Sequence, residues 1–216
     1  MAAAYVFLDL LPSLRQAGDY LKNVTGGQQL VSIYEDAIFL LVFAGFLIFF
    51  ILEHIATRSR KKQQTVTKLN LKDTPATKQV FALHLFNFSF LNIILSFVLN
   101  FEFQDHIIKG ILYTFAVSLH LFISNDSMIE HYKNMQIHVG RYIAAFMPII
   151  GWSLSVIFPE RLAEAYVLLA LVSGVILYHS IKNEVPTVAR DQSLSLFVIG
   201  AVFYSSILLA HALLLV

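Results

Sequence analysis

The feature that most restricts this chain is a series of apolar runs in which almost no charge occurs. Ala37 to Leu52, for example, is sixteen residues without an Asp, Glu, Lys, Arg or His. A helix rises about 1.5 Å per residue, so about 20 residues match a hydrocarbon core about 30 Å thick. Six stretches read as complete spans: Val31 to Ala56, Val80 to Leu99, Ile107 to Ser124, Tyr142 to Phe158, Ala163 to Ile181 and Leu194 to Val216. Only 13% of residues are charged, whereas a soluble domain carries roughly 25%. The expectation is an all-α, polytopic membrane protein, with residues 1–216 forming a single transmembrane domain and the lipid bilayer as its first partner.

The connections carry the remaining information. Met1 to Leu11 is apolar apart from Asp9 and has no leading Lys or Arg, unlike a signal peptide. It reads as part of a further membrane helix, ended by Pro12. Residues 57–79 hold seven Lys/Arg against one Asp and read as a basic cytoplasmic loop. Alternation of spans then puts eleven Lys/Arg inside and four outside, as positive-inside bias requires. The C-terminus falls on the extracytoplasmic side. Pro148 is expected to kink its span, Pro159 to end it, and Pro186 to stop the helix before it.

Net charge is +1 and cysteine is absent. The first predicts no nucleic acid or strongly charged partner; the second excludes disulfides, thiolate metal sites and cysteine nucleophiles. No phosphate-binding glycine loop, H-E-x-x-H or G-x-S-x-G occurs, so nothing points to an enzyme.

Polar groups are concentrated in two spans. Val80 to Leu99 carries His84, Asn87, Ser89, Asn92 and Ser96; Ile107 to Ser124 carries Ser118, His120 and Ser124. On a helix, His84 and Asn87 share a face with Phe88 and Leu91, and His120 shares one with Ser124, Ser127 and His131. Such groups at membrane depth face a partner helix or a wet cavity. Two readings remain open: a metal or proton pathway between antiparallel helices, or interhelical hydrogen bonds in a packed bundle. Glu53-His54 reads as an interfacial pair. His179, with Asn183 and Glu184, reads as a gate or a helix terminus, and His211 as an end or packing residue. His131 and His138, with Glu130 and Asp126, read as a solvated loop or as a group that loosely attracts metal.

The order of segments resembles the ZIP (Zrt/Irt-like) metal-transporter family. Phe7-Leu8-Asp9-Leu10-Leu11-Pro12 is similar to the F-L-H-L-L-P end of that family's second helix, and Ala44-Gly45-Phe46 through Leu52-Glu53 to its third. His84 falls at the opening of the fourth-helix motif H-N-x-x-D-G, and His120 at that of the fifth-helix motif H-E-x-P-H-E. Ser173-Gly174-Val175 through Glu184-Val185-Pro186 is similar to the seventh helix. Leu85, Phe88 and Ser89 replace Asn, Asp and Gly of the first motif. Leu121, Ile123, Ser124 and Asn125 replace Glu, Pro, His and Glu of the second. The resemblance implies the family's helices two to eight, with the fourth and fifth at the centre and an N-terminally short chain. It implies transport of a divalent metal cation such as zinc, held by His84, Asn87, His120 and Ser124. Zinc would be cargo, with no resident cofactor, and a homodimer is compatible with the family. The alternative is a ZIP-derived scaffold or binding protein that no longer transports, favoured by the missing carboxylates.

Overall fold

The computed structural model describes residues 8, 10–12, 14, 31–67, 76–184 and 194–214. Among these there is no strand. Six α-helices follow in order: α1 (Val31–Thr67), α2 (Lys78–Asp105), α3 (Ile107–Tyr132), α4 (Arg141–Ile157), α5 (Leu162–His179) and α6 (Leu194–Leu214). A π-helical turn, Gln136–Gly140, leads into α4, and another, Ser180–Glu184, prolongs α5. Among the described residues, five helical stretches are long and apolar enough to cross a membrane: Ala37–Val66, Lys78–Asp105, Ile107–Tyr132, Gln136–Ile157 and Glu164–Lys182. The sixth expected span coincides with α6, whose described apolar stretch is the shorter Phe197–Ile207.

Two local expectations change. The basic segment after residue 57 is not a loop throughout, because α1 continues to Thr67. Between Gly45 and Thr67 there is no glycine or proline, and Lys, Arg and Gln are good helix formers. The helix therefore carries its charged tail well past the apolar run. Pro12 does not end the first segment either, since residues 11, 12 and 14 are helical. Proline fixes a φ compatible with helix and removes only one donor. Residues 68–75 and the polar stretch 15–30 lie outside the described residues, as do Asp9, Ser13 and the side chains of Asn183, Glu184 and His211.

The centre of the bundle is α2 and α5. In their apolar windows 61% and 56% of residues are buried, against 33% in α3. Helix α2 pairs with α3 as expected, joined by Tyr113 to Leu95 and Tyr132 to His84, but among the described residues α5 is more buried than α3. The physical reason is the small residues that let α5 approach its neighbour. A Cβ at Gly45 would overlap the backbone carbonyl of Leu171, and one at Gly174 the carbonyl of Val42. The α1 and α5 backbones therefore touch directly, as small residues permit in membrane helix packing. Helices α2 and α4 meet similarly, where a Cβ at Gly151 would overlap the Ile93 carbonyl.

Pro148 sits inside α4. Lacking an N–H, it leaves the carbonyl four residues earlier, that of Ala144, without its helical donor. Asn92 Nδ2, on α2, donates to that carbonyl at 3.4 Å. A buried amide in the neighbouring helix thus supplies what the proline removes. The bond is long, so Asn92→Ala should cost only about 0.5–1 kcal/mol. The same substitution in a Pro148→Ala background should cost measurably less, because residue 148 then donates to Ala144 itself. Denaturant titration of the four proteins in detergent checks this; equal costs in both backgrounds would remove the proposed link.

Candidate functional site

His84 and His120 are both buried, each 3% exposed, but they lie in different surroundings. His84 Nδ1 is 2.7 Å from the Tyr132 hydroxyl, and that hydroxyl donates to the Val80 carbonyl at 3.5 Å. In this arrangement Nδ1–H donates to the phenolic oxygen and Nε2 keeps its lone pair. A ring held through one nitrogen presents the other in a fixed direction. On α3, Ser124 Oγ lies 3.3 Å from His120 Nε2, the two residues being one turn apart.

The partner of His120 is His179, at the end of α5. The ring centroids are 5.6 Å apart and the planes nearly perpendicular, at 85°. His179 in turn packs on Phe49 of α1 at 4.3 Å, and Phe49 on His84 at 4.9 Å. A file of rings therefore runs His120, His179, Phe49, His84, Tyr132, contributed by α3, α5, α1, α2 and again α3. The phenyl ring of Phe49, 2% exposed, divides it.

Of the four ligands expected from the sequence, His120 and Ser124 are brought together. His84 sits beyond Phe49. Asn87 is half-buried, and its Nδ2 has no hydrogen-bond partner among the described residues. Ser118 is exposed. Among the described residues no three His, Asp or Glu side chains are grouped so as to hold a metal ion.

A second polar cluster lies at the basic end of the bundle. Glu53 of α1 is buried, and its Oε1 meets Lys182 Nζ from the turn that prolongs α5. His131 Nε2, on α3, lies 2.5 Å from the same oxygen, a close contact without the direction of a formed hydrogen bond. Arg60 NH1 lies 3.0 Å from His131 Nδ1. A guanidinium can only donate, so Nδ1 accepts and the proton of the neutral ring is on Nε2, facing Glu53. Arg60 also lies 3.9 Å from the Glu130 carboxylate. The two residues before α2 are fastened beside this cluster, with Ala76 N–H donating to the His131 carbonyl at 3.0 Å and Thr77 N–H to Ser59 Oγ at 3.1 Å.

No family model, curated protein or solved structure matches this chain. Its chemistry is therefore read from its own residues.

Sequence reasoning missed His179 as a neighbour of His120 and treated Glu53 and His131 as interfacial or solvated. Two signals were present. His131 lies on the same α3 face as His120 and Ser124, and Glu53 is followed by a stretch with no helix breaker. His54 and His138, by contrast, are exposed.

Proposed function

We propose that this chain is an integral membrane protein of ZIP type that carries a divalent metal cation such as zinc. Its binding centre is the His120–His179 pair with Ser124, and His84 is the next imidazole beyond Phe49. Asn87 is a weaker donor on the His84 face. The observation that supports this most is the burial of two imidazoles from separate helices, ring to ring, with a hydroxyl beside one of them. Burying polar rings at this depth is costly without a partner, and neutral imidazole nitrogens are good zinc ligands.

Among the described residues the site has no carboxylate. Imidazoles leave the charge of a divalent ion unneutralised in a low-dielectric bundle, so affinity is modest. Purified protein should bind zinc reversibly in competition with a metal indicator at neutral pH. His120→Ala and His179→Ala should each weaken binding at least about tenfold, since even outer-shell changes reach that scale. His84→Ala should weaken it less, and exposed His54→Ala not at all. Zinc uptake into proteoliposomes, losing rate in the same order, tests transport itself.

The second reading is a ZIP-derived scaffold. The lack of a carboxylate beside the histidine pair among the described residues favours it, and it predicts neither zinc uptake nor a binding change in the histidine variants.

A further inference from the structure

The Glu53 cluster is built like an occupied ion site. Its carboxylate is anchored on α1 with a side chain only 8% exposed. Both of its close contacts, Lys182 Nζ and His131 Nε2, fall on Oε1. Oε2 is buried and has no hydrogen-bond partner among the described residues. An ionised carboxylate normally uses both oxygens when buried.

The cation that meets it is tethered and movable. The Lys182 side chain is 26% exposed and ends a flexible four-carbon stem, so its ammonium has a path to water, and leaving Glu53 is costly unless another cation takes its place. Arg60 is in the opposite position, with a side chain only 7% exposed. Of the two cations at the cluster, Lys182 rather than Arg60 has the route to water.

We propose that Glu53 is a binding station for a small monovalent cation, a primary ammonium or an alkali-metal ion, whose resident in this conformation is the ammonium of Lys182. Charge decides the class. Exchanging one ammonium for one monovalent ion leaves the buried charge unchanged. A divalent ion would add a charge, and among the described residues neither a second carboxylate nor an unprotonated imidazole nitrogen meets Glu53 to hold it. With its proton on Nε2 and Nδ1 facing Arg60, the His131 ring has no nitrogen left for a metal. The open Oε2 gives an incoming cation a foothold before the ammonium departs. None of this depends on metal binding at His120 and His179.

The test is chemical rescue read by thermal unfolding of the full chain in detergent. Lys182→Ala should lower the Tm by about 5 °C or more, a shift reflecting a buried, uncompensated carboxylate. Ethylammonium chloride should return most of that loss, while tetramethylammonium chloride at equal ionic strength should not. Sodium chloride serves as the alkali-metal probe, and rescue by either small cation supports the site. Wild type, with its own ammonium in place, and Glu53→Gln/Lys182→Ala, with no carboxylate, should not respond. No rescue of Lys182→Ala, or equal shifts in all three proteins, would overturn the proposal. A second variant covers a failure of Lys182→Ala to fold. The chain has no cysteine, so Lys182→Cys can be labelled at that position alone. Attaching an aminoethyl group through a disulfide should raise its Tm relative to a hydroxyethyl group; equal Tm values would count against the tethered ammonium.

Discussion

Gly174→Val is expected to prevent the bundle from assembling. A Cβ at this position would overlap the Val42 carbonyl oxygen and lie 2.5 Å from the Phe46 amide nitrogen. Both are backbone atoms of α1, which cannot rotate away as a side-chain tip does. Relief requires separating α1 from α5 along much of their length, which removes buried contacts of Ile38, Val42, Phe49, Leu169, Val172 and Ile176. Overpacking in a core costs about 1–3 kcal/mol when side chains can shift; against two backbones the cost should exceed that range. Detergent-solubilised Gly174→Val should elute as aggregate or unfold far below wild type. Ser173→Ala is the matched control. The Ser173 hydroxyl donates within its own helix, to the Leu169 carbonyl at 2.6 Å, so its removal should be nearly silent. Normal assembly of Gly174→Val would mean the two helices do not meet there.

The second large effect is expected at Phe49. Its ring touches His84, Tyr178 and His179 and is almost fully buried. Phe49→Ala removes that contact surface and leaves a cavity lined partly by imidazoles, costing about 3–5 kcal/mol. The cavity differs from an apolar one because water can enter a roomy site with polar partners. In proteoliposomes the variant should leak small ions in a way wild type does not, since the ring no longer divides the histidine file. Phe49→Leu keeps most of the volume and should recover stability and tightness together. Equal permeability in the three proteins would show that the ring fills space without separating anything.

What was legible in the sequence follows from which forces act locally. Helices were readable because apolar runs of membrane length leave the backbone only its own hydrogen bonds. That His84 and His120 carry buried polar chemistry was readable from their apolar surroundings. The identity of their neighbours was not, because helix faces report which residues share a side but not which helix lies opposite. His179 meets His120 through a contact between α5 and α3 that is set by the glycine packing of α5 on α1. Asn92 looked like one more intramembrane amide; its role became visible only when the helix bearing Pro148 was found beside it. Glu53 was misread because it sits where an apolar run ends. The span was taken to end at Ala56, just past Glu53, whereas α1 continues to Thr67 and holds that charge in a protein interior.

The contacts between α1 and α5 advance together along both chains: Val42 with Gly174, Phe46 with Tyr178, Phe49 with His179, and Glu53 with Lys182. The two helices therefore run parallel. Their closest point is the glycine crossing, and Glu53 and Lys182 each lie eight residues beyond it. Two rods packed tightest at one crossing resemble a pair of shears, with the glycines as the pivot and the Phe46 and Phe49 contacts along the blades. Eight residues make a blade about 12 Å long. Opening the angle by 10° about Gly45 and Gly174 would part the blade tips by about 2 Å while leaving the pivot in contact. The ion pair is therefore placed where it has most leverage over that angle, and one lysine side chain can act as the catch that keeps the blades shut.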